Sequence, residues 1–101
     1  MIGFREYPVN DIDALVDDQT QLIDVRQPFE ISEGTLDGAI NIPLDQLAAR
    51  IRDLDRGRRT IVFCRSGGRS RQAAEFLAAA GFDDVINLAG GVLAYRQGVS
   101  R

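Results

Sequence analysis

Arg59-Thr60-Ile61-Val62-Phe63-Cys64-Arg65-Ser66-Gly67-Gly68-Arg69-Ser70 is the stretch whose reading decides the fold. Its first five residues are largely β-branched or apolar and suit a central strand buried on both faces. Residues 64–69 read as a Gly-rich loop. From Ser70 to Ala80 the chain becomes alanine-rich, with Ala73, Ala74, Leu77 and Ala80 on one helical face, and Gly81 ends the helix. A strand that runs through a glycine loop into a helix is the building unit of an α/β domain.

The flanking sequence repeats that alternation. Upstream, Leu22 to Val25 reads as a short buried strand, followed by a loop holding Pro28 and a helical turn from Phe29 to Glu33 before Gly34. Gly38 to Ile42 reads as another strand, closed by Pro43. Asp45 then caps a helix with Leu47, Ile51 and Leu54 on one face. At the start, Ile2 to Tyr7 suits an edge strand ended by Pro8. Asn10 is the N-cap expected for a helix with Asp13 in its first turn and Ile12, Leu15 and Val16 at helical spacing. Downstream, Asp84 to Leu88 forms a short strand, and a turn at Gly90-Gly91 leads into a last helix carrying Val92, Leu93 and Tyr95. The expectation is an α/β fold with a small, mostly parallel sheet and helices on both faces. With 101 residues and 45% hydrophobic composition, residues 1–101 fit a single domain around one core.

Composition removes several classes of function. A formal charge of −3 argues against nucleic-acid partners, which require a net basic face. No apolar run approaches the roughly 18 residues of a membrane span, and the opening carries Arg5 and Glu6, unlike a secretory leader, so a cytoplasmic location is expected. The absence of histidine excludes Ser-His-Asp and Cys-His catalysis and the commonest metal ligand. A single cysteine allows neither an internal disulfide nor a thiolate-rich zinc site. The reading calls for no metal and no cofactor.

Cys64 follows the best strand and precedes the best helix, the place where open α/β sheets bind ligands. Gly67 and Gly68 allow positive φ angles and let backbone N–H groups turn inward. The helix N-terminus adds partial positive charge, and Arg65 and Arg69 add two full ones. Such a cradle is expected to lower the thiol pKa from about 8.5 into or below the neutral range without a histidine base. Taken alone, an isolated cysteine is most simply a small buried hydrophobe. The junction position, the paired glycines and the flanking arginines are features that such a residue does not need. A nucleotide-phosphate loop does not fit, since the P-loop lysine and the G-x-G-x-x-G pattern are both absent.

Leu22 to Glu30 resembles the first signature of the rhodanese family, as does Gly34 to Pro43. Ile61 to Ser70 resembles its active-site strand and loop, and Gly81-Phe82 with Val85 to Gly91 resembles its C-terminal signature. The resemblance runs from about residue 20 to residue 97 in order. It implies a rhodanese-like fold and sulfur transfer through a persulfide on Cys64. Arg65, Ser66, Gly67, Gly68 and Arg69 would contact substrate and bound sulfur through amides and guanidinium groups. Ser70 stands as a supporting residue where the helix begins, and Asp24, Arg26 or Glu30 is expected to brace the loop arginines. The alternative for these three is surface charge or a structural ion pair. Thr35, Ile31 and Tyr95 depart from the family's usual histidine, aromatic and tryptophan. Tyr95 is expected to be a core aromatic with its hydroxyl at the surface.

The implied donor is a small anion such as thiosulfate, and the acceptor is cyanide, an external thiol or a protein. Two rivals remain open. Cysteine-dependent phosphatases and arsenate reductases also use a cysteine in an anion loop, but the phosphatases place five residues between cysteine and arginine where this chain has four. A non-catalytic module that only binds a partner protein is the second.

Overall fold

The computed structural model describes residues 3–96 and 98. The strands are β1 (Arg5–Pro8), β2 (Gln21–Asp24), β3 (Ile40–Asn41), β4 (Thr60–Phe63) and β5 (Val85–Ala89). The helices are α1 (Ile12–Leu15), α2 (Pro28–Ile31), α3 (Leu47–Arg50), α4 (Gly68–Ala79) and α5 (Gly91–Ala94). The sheet order is β1-β5-β4-β2-β3, and every pairing is parallel. β4 therefore occupies the middle, with β2 and β5 on either side.

All four residues of β4 are buried, and their alternation sorts them between two apolar layers. Val62 and Cys64 join Ile23, Val25, Leu47, Ala73, Ala74 and Leu77 on the face covered by α3 and α4. Ile61 and Phe63 join Val9, Ile12, Leu22, Leu36, Ile86 and Leu88 on the opposite face, against which Val92 and Tyr95 pack. The single core expected from composition is thus two clusters, because a sheet buried on both sides needs an apolar layer on each. Full burial of a residue such as Phe63 contributes about 1.5–3 kcal/mol.

Several boundaries differ from the sequence reading for identifiable reasons. α4 begins at Gly68, two residues ahead of Ser70, because Gly67 takes φ 113° and serves as its N-cap. Asn10 does not cap α1. Its Nδ2 donates to the Ala94 carbonyl at 2.9 Å and its Oδ1 accepts from the Arg96 N–H at 2.8 Å, so it fastens the end of α5. Asp45 makes no cap either; it accepts from Gln27 Nε2 at 3.1 Å, and α3 is a single α-turn between two 3₁₀ turns. β1 ends at Pro8, its last paired residue, a position an edge strand tolerates. The strand expected over residues 38–42 contracts to Ile40–Asn41. Of the edge strand expected over residues 2–7, Gly3 and Phe4 lie ahead of β1, which starts at Arg5, and Ile2 lies outside the described residues.

Candidate active site

The C-terminal ends of β2, β4 and β5 meet where β4 passes into α4. Cys64 leaves β4 with only 1% of its surface exposed. Its sulfur nevertheless faces polar donors: the Gly67 N–H lies 3.1 Å from Sγ and the Ser70 N–H 3.4 Å. Burial pushes the thiol up. The Ser70 hydroxyl and the N–H groups of Ser70, Gly67 and Ser66 pull it down and prevail, leaving Cys64 below the ordinary thiol range. The Gly67 carbonyl is held on the far side, accepting from the Ser70 hydroxyl at 3.1 Å and the Arg71 N–H at 3.0 Å. The N–H groups of Gly68 and Arg69, in the first turn of α4, have no acceptor among the described residues. Unused donors at the start of a twelve-residue helix carry partial positive charge.

Of the two loop arginines, Arg69 has the carboxylate brace expected for it. Neither Arg65 nor Arg69 hydrogen-bonds the sulfur. Arg69 makes a two-pronged pair with Glu30, Nη1 to Oε1 at 2.6 Å and Nη2 to Oε2 at 2.8 Å, so its charge is already matched. This pair, helped by the Gln27 N–H and against the upward push of burial, holds the Glu30 carboxyl down at about 2. Arg65 is exposed and has no ionic partner among the described residues. It lines a cavity of about 530 Å³ together with Phe29, Glu33, Val92 and Leu93. Amide donors and one hydroxyl lead in lowering the thiol, and the Arg69 charge adds a smaller through-space attraction.

The three supporting residues divide. Glu30 reaches Arg69. Asp24 and Arg26 do not touch the loop arginines but pair with each other at 2.7 Å, both almost wholly buried. Arg26 Nη2 also donates to the Gly34 carbonyl at 2.8 Å, and the Thr35 hydroxyl donates to Asp24 Oδ2 at 2.8 Å. This cluster ties the end of β2 to the turn before β3.

The sequence reading missed the role of Gly90-Gly91. Both take positive φ, 86° and 56°. The N–H groups of Val92 and Leu93 then donate to the carbonyls of Cys64 and Arg65 at 3.0 and 3.1 Å. A Cβ on Gly91 would overlap both carbonyl oxygens. Paired glycines before a helix were the available signal. What the sequence did not reveal was the backbone they approach.

The class is that of parallel α/β domains that present one cysteine to backbone donors at the start of a helix. The family model of the Rhodanese-like domain matches residues 9–97, and the chain belongs to that family. A sulfurtransferase from Allochromatium vinosum is 35% identical over 96 residues, covering 88% of this chain and 90% of that protein. The thiosulfate sulfurtransferase GlpE of Shewanella oneidensis is 34% identical over 98 residues, covering 96% and 97%. Among longer relatives, a tRNA uridine(34) hydroxylase of Nitrobacter hamburgensis is 39% identical over 87 residues; the match covers 79% of this chain but only 34% of that protein. The crystal structure of a rhodanese-related protein from Thermoplasma volcanium superposes with a TM-score of 0.83 at 30% identity, covering 93% of this chain and 92% of that one. These relatives support sulfurtransferase activity in general. Among the described residues no helix is long and apolar enough to cross a membrane.

Proposed function

We propose that this protein moves a sulfane sulfur from a small anionic donor such as thiosulfate to an external nucleophile through a persulfide on Cys64. The observation that carries this reading is a buried sulfur held below the ordinary thiol range by the Gly67 and Ser70 donors. The Cys64 thiolate attacks the outer sulfur of thiosulfate. An S–S bond forms to Cys64, the donor's S–S bond breaks, and sulfite leaves with the electron pair. The unused N–H groups of Gly68 and Arg69 are suited to the terminal sulfur of the persulfide, which carries the negative charge. The acceptor, cyanide or a thiol, attacks that sulfur and Cys64 departs again as thiolate. No cofactor or metal enters either step.

With one cysteine in the chain, the persulfide has no internal thiol to discharge it, so the acceptor comes from outside. A small thiol and the cysteine of a partner protein both fit; nucleic acid and membrane do not enter the reading, and we assign the reaction to the cytoplasm. A phosphatase reading is disfavoured by Arg69, which is engaged by Glu30 where a phosphatase needs its loop arginine on the phosphoryl group.

Intact mass spectrometry after thiosulfate treatment tests the reading. The expected result is a gain of one sulfur atom, reversed by cyanide and absent from Cys64→Ser. Hydrolysis of an aryl phosphate with no sulfur gain would overturn it. A module that only binds would keep its biological function in Cys64→Ser.

A further inference from the structure

Asn87 lies on β5, opposite Val62 of β4 and Glu6 of β1, and is 1% exposed. A buried primary amide in a parallel sheet is costly unless its hydrogen-bonding groups are met. Its nitrogen is well used: Nδ2 donates to Glu6 Oε2 at 2.8 Å and reaches the Gly67 carbonyl at 3.5 Å. Its oxygen, Oδ1, is buried with no partner among the described residues. The amide is therefore retained for its donor end, at the expense of an unsatisfied acceptor. Glu6, which orients that donor, is itself held by Arg71 Nη1 at 2.7 Å, from the first turn of α4.

The Gly67 carbonyl thus meets donors from two elements, Ser70 and Arg71 of α4 and Asn87 of β5. Peptide planarity makes the orientation of that carbonyl consequential. In a trans peptide the C=O of Gly67 and the N–H of Gly68 point in opposite directions. A carbonyl drawn along α4 toward Arg71 leaves the Gly68 N–H directed out of the helix start, where an anion binds.

We propose that Asn87 is a positioning residue for the Cys64 loop, fixing the Gly67 carbonyl so that the Gly68 N–H faces the reacting sulfur. The inference rests on the sulfur-transfer reading. Asn87 touches neither sulfur nor substrate and acts through the Gly67–Gly68 peptide. Glu6 keeps the amide turned the right way, since its carboxylate accepts only from the nitrogen end.

The test titrates the Cys64 thiolate by its ultraviolet absorbance in the full chain and measures kcat and KM for thiosulfate with cyanide. In Asn87→Leu, which keeps the shape and removes the donor, the titration midpoint is expected to move upward and kcat/KM to fall about tenfold, mainly through kcat. In Glu6→Ala, at a half-exposed edge position, both effects are expected in the same direction and about threefold. A role confined to packing lowers the melting temperature of Asn87→Leu but leaves the thiolate midpoint unmoved; that outcome overturns the inference. If Asn87→Leu does not fold, Glu6→Ala decides alone, and an unchanged midpoint and kcat/KM there overturn it. If the wild-type protein gains no sulfur from thiosulfate, the functional reading falls, while the midpoints still judge whether Asn87 orients the loop.

Discussion

The β4–α4 and β5–α5 junctions are built from the same local parts and do opposite work. Each runs from a buried strand into a helix whose N-cap is a glycine at positive φ, Gly67 at 113° and Gly90 at 86°. At the first, the N–H groups of Gly67 and Ser70 face a sulfur atom, and those of Gly68 and Arg69 between them stay open. At the second, the opening N–H groups of α5 are taken by the carbonyls of Cys64 and Arg65. The second helix is a single turn, too short to stand alone, and it consists of little more than the clamp and its backing. One junction leaves donors open beside the sulfur, and the other ties up the carbonyls of Cys64 and Arg65. Local conformation does not distinguish the two; what each helix start points at does.

The sharpest way to break this comparison is Gly91→Ala. A methyl group there overlaps the carbonyls of Cys64 and Arg65, so either the clamp or the loop must move. Thermal melting is expected to show a loss of about 3 kcal/mol or more, with sulfur transfer reduced at least ~100-fold. A folded Gly91→Ala protein with normal activity would mean that the second junction is only a turn.

Ser70→Ala probes the first junction with less disturbance. It removes the hydroxyl whose one proton serves either the Gly67 carbonyl or the sulfur, and it leaves the Ser70 N–H in place. The lowered thiol means that thiolate, and with it kcat/KM, persists below the ordinary thiol range and is lost only as pH falls through the Cys64 pKa. In Ser70→Ala this acid limb of the pH–rate profile is expected to move to higher pH, with kcat/KM at neutral pH down about tenfold. An unmoved limb would transfer the credit to the backbone donors alone.

Gly67→Ala compares the two glycine caps. Its new Cβ would meet the Gly90 N–H at an ordinary 3.4 Å, so the cost is mainly the unfavourable φ, about 1–2 kcal/mol by denaturant unfolding. That is smaller than for Gly91→Ala, and the reverse ranking would contradict the clamp.

The mildest change is Glu30→Gln. The Glu30 carboxyl sits at about 2, below its usual value of 4.5, so its stabilising contribution is present above pH 4.5 and fades as pH falls toward 2. The variant is expected to lose this acid-side slope in melting temperature while kcat/KM changes by no more than about threefold, as suits a partly exposed pair. A large fall in kcat/KM would make the position of Arg69 more important than its distance from the sulfur suggests.

The sequence made the chemistry legible and its support illegible. Thr60 to Phe63, buried without exception, and the glycines after Cys64 carried both the strand and the loop in their local pattern. The helix start was misplaced by two residues because Gly67, and not Ser70, takes the cap conformation. Glu30 is one of three residues expected to brace the loop arginines, and the sequence cannot single it out because it lies 39 residues from Arg69 in the chain. Asp24 and Arg26, close together in sequence, gave no sign that they would be buried against each other and the Gly34 turn. Asn10 and Asp45 have the residue types of helix caps, yet tertiary partners, Ala94 with Arg96 and Gln27, took their side chains.

By itself the sequence determined that a parallel α/β sheet would deliver one cysteine to the start of a helix, since strand burial, glycine turns and helical spacing are encoded within a dozen residues. Only the tertiary structure decided which donors reach that sulfur, that Glu30 occupies Arg69, and that Gly91 and Asn87 press on the loop from β5 and its following turn. The physical reason is range. Backbone conformation follows from neighbours along the chain, whereas hydrogen-bond partners are chosen among whatever groups the folded sheet brings within about 3 Å.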